Sequence, residues 1–300
     1  MKGKQDDVLI RIHEAYPNLS KGQKRLADYI TDHYEKAVYL TAAKMGETVG
    51  VSESTVVRFA SSLGYDGYPG MQRAMEEAIR TRLTALQRME VSRSQLNEDH
   101  LVSSVMQSDI ANIRETLGMV DEKVFQQAVD LMLNARNIYV LGVRSSAPLA
   151  SYLSYYLNLF FTNVHLVLTN SISETFEQIL NIGKDDVMIG ISFPRYSKRT
   201  VKAMQYAHVS GASVIALTDN DQSPIAATAD SVLKAYSNMI SFVDSLVGPM
   251  SLVDALIVAL SMEKQGEVER NLATLENIWK EYDVYEKTGE EDDTFGKLLS

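Results

Sequence analysis

A group of cations and hydroxyl residues follows an apolar segment in the stretch ISFPRYSKRT at residues 191–200. Hydroxyl and guanidinium groups donate hydrogen bonds, and an arginine can hold a phosphate or a carboxylate through two parallel bonds. The residue types therefore favour the binding of an anion over a chemical reaction. The members of the group are Ser192, Arg195, Ser197, Lys198, Arg199 and Thr200.

Arg144 occupies a comparable place in LGVRSSAPLA, which follows another apolar, β-rich run. In open parallel sheets, ligands bind beyond the carboxyl ends of the strands, where loops enter helices whose first N–H groups favour anions. Arg144 and Arg195 each stand at such a corner, and we expect both to contact a ligand. Lys198 and Arg199 lie further into the helical segment and are expected to face solvent. A solvated rim, or ion pairs with another subunit, are alternative roles for these four cations.

A general acid and base are harder to find. General acid–base catalysis needs a carboxylate or an imidazole that moves a proton at a substrate atom. Glu174 is the nearest candidate, but it also fits the start of a helix, and His165 and His208 are expected to be structural. The chain has no cysteine, and its five histidines form no HxH or HxxxH pair. We therefore predict no catalytic residue, no metal and no cofactor.

The spacing of apolar residues changes along the chain. Up to about residue 116 it repeats at helical intervals, whereas from about residue 137 short β-rich runs alternate with helical ones. Runs that are apolar on both faces and alternate with helices indicate a parallel sheet covered on both sides. The expected fold is an all-α domain followed by an α/β three-layer sandwich with a parallel five-stranded sheet. The predicted strands are NIYVLGV, VHLVLT, DVMIGIS, SVIALT and SVLKAYS.

The helical part contains the pattern of a helix-turn-helix in TAAKMGETVGVSESTVVRFASSLGYDGY. Gly50 can form the turn and Gly46 the close contact between the helices, while apolar residues at fixed offsets face inward. Ser52 is a natural N-cap for the second helix. A helix pair that binds nothing is the alternative, but short hydroxyls and an arginine on the outer face favour DNA. The predicted DNA-binding residues are Ser52, Ser54, Thr55, Arg58 and Lys44.

The distribution of charge bears on the DNA-binding prediction. A formal net charge of −10 argues against a protein held on nucleic acid by bulk electrostatics. Acidic and basic residues nearly balance in residues 1–78, however, and much of the negative surplus is concentrated in residues 263–300. The sequence has no uncharged apolar run of transmembrane length and no signal-peptide pattern, so a cytoplasmic location without membrane contact is expected.

Residues 20–75 resemble the amino-terminal helix-turn-helix domain of the RpiR (MurR/RpiR) family of bacterial transcriptional regulators, especially in VSESTVVRF followed by LGYDGY. In that family the second half of the chain is a SIS (sugar isomerase) domain. The second half here is similar to one in LGVRSSAPLA, ISFPRYSKRT and SPIAATAD, which follow the first, third and fourth predicted strands. The resemblance implies a phosphosugar held by hydroxyl and backbone N–H groups, with Ser146, Ser192 and Ser197 at hydroxyl positions.

This sequence departs from the family pattern in both loops. Arg144 stands where many members have the second glycine of Gly-x-Gly-x-Ser, and Pro194 and Arg195 replace a hydroxyl residue and a glycine in Ser-x-Ser-Gly-x-Thr. Glycine lets the backbone approach a phosphate closely, whereas arginine presents a planar fork of donors. A sugar acid or a larger anion therefore fits as well as a phosphosugar. The predicted ligand-binding residues are Arg144, Ser145, Ser146, Ser192, Arg195 and Ser197.

The sequence thus predicts a transcriptional regulator that binds operator DNA and senses a small anionic metabolite. Two alternatives belong to other classes: a SIS-type sugar-phosphate isomerase with an appended helical domain, and a metabolite-controlled interaction module. A homo-oligomer, dimer or tetramer, is expected because one near-neutral DNA-binding domain needs a second half-site. The predicted divisions are a helix-turn-helix domain at 1–78, a connecting helix or hinge at 79–115, a SIS effector-binding domain at 116–265, and a helical and acidic tail at 266–300.

Overall fold

The computed structural model describes residues 8–80, 89, 100–238 and 243–285 of the chain. Within residues 8–80 the regular secondary structure is helical throughout, as the apolar spacing predicts. Their buried residues form one core, in which Phe59 and Met71 are fully enclosed. The helices are α1 (Val8–Ala15), α2 (Lys21–Asp32), α3 (Tyr34–Ala37), α4 (Ala42–Val49), α5 (Glu53–Ser62) and α6 (Gly67–Arg80).

The turn between α4 and α5 has the geometry that the sequence predicts. Gly50 ends α4 with a φ of +72°, in the left-handed region that favours glycine. A Cβ atom on Gly46 would lie 2.7 Å from the carbonyl oxygen of Val51, so glycine is required for this close approach of the helices. Ser52 caps α5 by accepting a hydrogen bond from the backbone N–H of Thr55. The two helices form a helix-turn-helix pair.

The second part surrounds a five-stranded sheet in which all neighbouring strands are parallel. Each predicted strand is present. They are β1 (Ile138–Gly142), β2 (Val164–Leu166), β3 (Val187–Ile191), β4 (Ser213–Thr218) and β5 (Ser231–Lys234). Their order in the sheet is β2-β1-β3-β4-β5, so β1 and β3 are neighbours although β2 lies between them in the chain. The loops after β1 and β3 therefore leave the sheet side by side.

Helices cover both faces of the sheet. The helices of this second part are α7 (Leu101–Met119), α8 (Glu122–Leu133), α9 (Ala147–Leu157), α10 (Ile172–Gln178), α11 (Lys198–Val209), α12 (Val247–Glu263) and α13 (Gln265–Glu281). Residues of α8, α9 and α12 form one core with Val140, and residues of α11 form a second core with Leu141. Successive residues of a strand point to opposite faces, so β1 contributes to both cores. The three-layer α/β prediction is confirmed.

The long helix α7 packs against α12 through a polar face. Asn112 and Thr116 are buried there, and the Thr116 hydroxyl accepts a hydrogen bond from the backbone N–H of Tyr236 at 3.0 Å. The hydroxyl of Ser245 donates to Oδ1 of Asp109 at 2.7 Å. This helix spans residue 116, at which the sequence analysis places a division. The divisions themselves stay predictions.

Asp186 ties the starts of β1 and β3 together. Its buried carboxylate accepts hydrogen bonds from Nε and Nη2 of Arg136, at 3.0 and 2.7 Å, and from the side-chain amide of Asn137. The backbone N–H of Gly183 is a further donor. Burial alone would raise the pKa of this carboxyl, but the hydrogen bonds outweigh burial and hold the pKa below its ordinary value.

The end of the described chain is exposed. No residue of α13 is buried, and its apolar residues Leu272 and Ile278 are 38% and 41% exposed. The acidic end of the predicted tail lies outside the described residues, as do residues 81–88 and 90–99 of the predicted connecting segment. Within the described ranges, none of the helices combines the length and apolar character that crossing a membrane requires.

Candidate functional site

The loop after β1 places Arg144 in a conformation that glycine favours. β1 ends at Gly142, a 3-10 turn spans Arg144–Ser146, and α9 follows at once. Arg144 has a φ of +58°. A Cβ atom on Gly142 would lie 2.5 Å from the carbonyl oxygen of Ser146, so the strand end and the turn are in direct contact. The close packing fixes the path of the turn.

The loop after β3 repeats this arrangement around Arg195, whose φ is +70°. The backbone N–H of Ser197 donates to the hydroxyl of Ser192 at 3.1 Å, and the Ser197 hydroxyl caps α11. The phenol of Tyr196 donates to Oδ1 of Asp219, just beyond the end of β4, at 2.7 Å. These bonds fix the loop immediately after Arg195.

Both arginines have a left-handed backbone conformation, which is unfavourable for their residue type. A left-handed conformation costs an L-residue on the order of 1–2 kcal/mol. Within the described residues, neither guanidinium group makes a hydrogen bond or an ion pair. Backbone strain of this kind is concentrated at binding and catalytic sites. The arrangement therefore favours a partner outside the chain for Arg144 and Arg195.

The two loops open into one cavity of about 400 Å³, a volume suited to a small metabolite. All six predicted ligand-binding residues line this cavity, which brings them together in space, and their role in binding stays a prediction. Sequence reasoning missed the segment ahead of α12, which supplies part of the wall. That segment carries no recognisable motif, and only its position after the last strand could have indicated it. Its lining residues are Val243, Asp244 and Leu246.

Arg199 differs from its predicted role. We expected this side chain to face solvent, but it is half-buried and donates to the backbone carbonyl oxygens of Thr169 and Asn170, at 2.5 and 2.7 Å. It therefore connects α11 to the loop ahead of α10. Lys198 is exposed, as predicted.

The candidate acid and base residues lie outside the cavity lining. Glu174 is in the first turn of α10, where Ser171 caps the helix, and its carboxylate accepts a hydrogen bond from the Thr169 hydroxyl. His165 stacks on the ring of Tyr139, and His208 is exposed near the end of α11. Among the described lining residues, the ionisable groups are the two arginines and Asp244. This set contains no pair of an acid and a base in the positions that isomerisation needs.

On the helix-turn-helix pair, Ser52, Thr55 and Arg58 line a groove together with the start of α2. The first N–H groups of two helices, α2 and α5, thus lie beside one groove, and helix amino termini favour phosphate groups. Sequence reasoning missed the contribution of α2. Its capping box of Ser20 and Gln23 is visible in the sequence as S-x-x-Q. That pattern predicts where a helix begins, but it does not predict that this helix start lies beside α5. The residues from α2 and its cap are Ser20, Gly22 and Gln23.

Two other predicted DNA-binding residues lie outside that groove lining. Lys44 is on α4, where its Nζ atom is 2.9 Å from a carboxylate oxygen of Glu47. The hydroxyl of Ser54 is exposed and lies 2.9 Å from the hydroxyl of Ser52. Arg58 is exposed and donates from Nε to the carbonyl oxygen of Ser54. Contact of these residues with DNA stays a prediction.

Two protein-family descriptions match the chain in the order that the motifs predict. A helix-turn-helix domain of the rpiR family matches residues 6–82, and a SIS domain matches residues 131–259. Among curated proteins, the HTH-type transcriptional regulator HexR of Escherichia coli (strain K12) is 26% identical over 288 residues. That alignment covers 92% of this chain and 95% of HexR.

Solved structures agree with the fold of both parts. The sugar isomerase domain of an RpiR transcription factor from Sphaerobacter thermophilus is 27% identical, with a TM-score of 0.56, and covers 59% of this chain and 99% of that one. The Vibrio vulnificus NanR protein complexed with ManNAc-6P is 22% identical, with a TM-score of 0.55, and covers 90% of this chain and 98% of that one. The similarity to NanR supports the fold alone.

Proposed function

This chain belongs to the RpiR family of transcriptional regulators, and we propose that its SIS domain senses a phosphosugar or a related anionic sugar metabolite. In this proposal the effector binds in the cavity between the loops after β1 and β3. The α4–α5 pair binds operator DNA through the outer face of α5. Because bacterial operator DNA lies in the cytoplasm, we place the regulator there as well.

One observation carries the effector proposal. Arg144 and Arg195 line the same cavity, both in left-handed backbone conformations, and neither has a partner within the described residues. A guanidinium group can hold a phosphate or a carboxylate by two charge-assisted hydrogen bonds. Ser145 and Ser146 supply further hydroxyl donors on the same wall. An anionic ligand would satisfy all of these groups together.

The size and the neighbouring groups of the cavity favour a sugar over inorganic phosphate. A volume of about 400 Å³ leaves room beyond one anionic group, and Asp244 can accept hydrogen bonds from sugar hydroxyls. NanR, a protein of the same fold, is described in complex with ManNAc-6P, which is a sugar phosphate. A sugar acid remains within the proposal, because carboxylates match the fork of arginine equally well.

The isomerase alternative has less support. The described lining holds a single carboxylate and no histidine, so a positioned acid–base pair is missing from it. HexR, which aligns over most of the chain, is named a transcriptional regulator. We therefore propose that the cavity binds its ligand without converting it.

Operator binding also bears on the assembly of the protein. A helix-turn-helix protein reads two half-sites as a symmetric dimer, or four as a tetramer. The near balance of charges in residues 1–78 gives a single domain little non-specific attraction for DNA. We propose that the chain works as a homo-oligomer, so that two DNA-binding domains act together.

A ligand panel tests the effector proposal. The full-length protein is titrated with sugar phosphates, sugar acids and inorganic phosphate while its thermal unfolding is followed, because a ligand of the folded state raises the unfolding temperature. We expect at least one sugar-derived anion to do so. The double variant Arg144→Ala/Arg195→Ala should lose that response, while Lys198→Ala, which removes a nearby cation outside the cavity lining, should keep it. An equal response in the double variant would contradict the site.

A further inference from the structure

Helix α7 exposes apolar residues along one side, here called the α7 stripe. Its five members fall within an arc of about 80° around the helix axis at the usual 3.6 residues per turn. Such exposure is unusual, because a surface helix normally turns its apolar side to the core and its polar side to solvent. In α7 the buried side carries Asn112 and Thr116 instead. The stripe consists of Val102, Met106, Ile110, Ile113 and Leu117, which are 73%, 61%, 40%, 42% and 75% exposed.

We propose that the α7 stripe is the contact surface for a second copy of this chain, in an antiparallel pair of α7 helices. An exposed apolar strip of this length is typical of a protein–protein interface. The inference rests on the proposal that the chain works as an oligomer. It identifies the surface through which two copies would bind each other. It does not depend on which effector binds.

The spacing of the stripe is self-complementary. Val102 and Met106 are four residues apart at one end, and Ile113 and Leu117 are four residues apart at the other. When a second α7 is turned end for end, Val102 lies opposite Leu117 and Met106 lies opposite Ile113. A two-fold symmetric interface requires a patch that matches itself in this way. A stripe adapted to an unrelated partner has no such requirement.

The charges along α7 permit the same pairing. The stripe itself is uncharged, which removes a source of repulsion between two copies of a chain whose net charge is −10. Arg114 borders the stripe, and the antiparallel pairing separates the two copies of Arg114 by roughly 13 Å along the axis. That distance exceeds the screening length of about 8 Å at physiological salt. Asp109 is turned towards its own domain, where it accepts the hydrogen bond from Ser245.

The polar contacts of the buried side hold α7 in place before any partner binds. Thr116 is bonded to the backbone of Tyr236, and a Cβ atom on Gly248 would lie 2.5 Å from the Thr116 hydroxyl. The helix is therefore presented as a rigid surface and loses little conformational freedom on association. A second copy gains apolar burial along about four turns of helix.

Substitutions at both ends of the stripe test the proposal. We expect the wild-type protein to be dimeric or tetrameric by light scattering at micromolar concentration. Leu117→Glu and Val102→Glu should each raise the dissociation constant of the α7 contact at least about tenfold, because each places a charge at two symmetric positions of the interface. Val209→Glu is the matched control, since Val209 is 85% exposed on α11, which packs in a different core from α12, the helix that α7 contacts. This control should associate like the wild type.

Engineered cysteines test the direction of the pairing. The chain has no cysteine of its own, so added thiols report only on the added positions. A disulfide needs Cβ atoms within about 4.5 Å, whereas residues 106 and 113 of one helix are roughly 10 Å apart along its axis. Under mild oxidation, Met106→Cys/Ile113→Cys should therefore form a covalent dimer between chains. The single variants Met106→Cys and Ile113→Cys should stay uncrosslinked, because antiparallel pairing keeps identical positions apart.

The results of these experiments test the α7 contact independently of effector binding. An oligomer that both glutamate variants leave intact would overturn the α7 contact, as would a wild-type protein that stays monomeric at every concentration. Crosslinking of the single cysteine variants would overturn the antiparallel arrangement. Effector binding is measured on the same samples by thermal shift, so failure of the α7 contact with effector binding retained leaves the sensor proposal standing. Unchanged far-ultraviolet circular dichroism of the variants shows that the fold is kept.

Discussion

The phenol of Tyr196 donates a 2.7 Å hydrogen bond to Oδ1 of Asp219. Tyr196 directly follows Arg195, whose backbone is left-handed. Asp219 is 5% exposed, so its carboxylate is a fixed acceptor at the end of β4. The side chain of Asn220 donates to the same phenol oxygen at 3.4 Å. The bond from Tyr196 thus joins the loop after β3 to the neighbouring strand and holds the backbone that carries Arg195.

Removing the phenol should weaken the effector site without touching the ligand directly. We expect Tyr196→Phe to reduce effector affinity by about 0.5–1.5 kcal/mol, the net contribution of one hydrogen bond, because the loop becomes less restricted. Calorimetric titration measures the change. In the Arg195→Ala background the same substitution should have almost no further effect, since Tyr196 acts through Arg195. Tyr206→Phe, which removes a phenol bonded to Leu180 instead, is the control.

Arg195 itself should contribute directly to effector affinity. Arg195→Ala should lower that affinity by about 1.5–3 kcal/mol, the range of a hydrogen bond to a charged group. Arg195→Lys should restore it only in part, because an ammonium group lacks the planar fork. Calorimetry on the three proteins gives the values, and the operator affinity of the free proteins should stay nearly the same. Loss of DNA binding with effector affinity intact would instead place Arg195 at a contact between domains or subunits.

Glycine at position 195 should separate stability from binding. Arg195→Gly should raise the free energy of unfolding by about 0.5–1 kcal/mol, because relief of the left-handed strain exceeds the entropy that glycine loses. Effector affinity should fall as in the alanine variant. Chemical denaturation measures the first effect and calorimetry the second. Arg199→Gly should lower stability instead, since it removes two hydrogen bonds and puts glycine in a helix.

Arg58 should contribute to operator binding from the exposed face of α5. Arg58→Ala should weaken the specific complex by about 1–3 kcal/mol if the guanidinium reads a base, and should leave binding to unrelated DNA less affected. Fluorescence anisotropy with both DNAs at several salt concentrations measures this. An equal loss on both DNAs with a smaller salt dependence would indicate a phosphate contact. Unchanged affinity on both would remove Arg58 from the interface.

Asp186 should stabilise the fold in a pH-dependent way. Its pKa is lower in the folded chain than the ordinary value, so its contribution is complete above that ordinary value and is lost as the pH falls through the folded pKa. Asp186→Asn should therefore cost about 1–3 kcal/mol at pH 7 and markedly less at pH 3. Urea unfolding at both values measures the difference. Asp185→Asn, at the exposed neighbouring position, should cost little at either pH.

Much of the fold could be predicted because its signals are local. The left-handed Gly50 and the cap at Ser52 depend on residues within a few positions, and the sequence identified both. The alternation of apolar strands and helices likewise predicted the parallel sheet. The cavity loops were found because each follows a strand directly, and parallel strands end at one edge of the sheet.

The features that the sequence did not reveal depend on contacts between distant segments. Arg199 has the residue type of a solvated cation, and its bonds to Thr169 and Asn170 exist only because the loop ahead of α10 passes beside α11. Asp244 reaches the cavity through the packing of the segment ahead of α12. The positive φ of Arg144 could not be derived from its side chain, since arginine disfavours that region.

The sheet order puts β1 beside β3. The cavity wall is therefore formed by two loops that are far apart in the chain, with α9, β2 and α10 between them. Contacts of that kind form late, because a long loop must close before they contribute any stability. The helix-turn-helix pair is made of neighbouring segments and leaves the ribosome first. A newly synthesised chain therefore completes its helix-turn-helix domain before its SIS domain exists. During that interval the proposed effector has no cavity to bind, so DNA binding by the helix-turn-helix domain is outside its control.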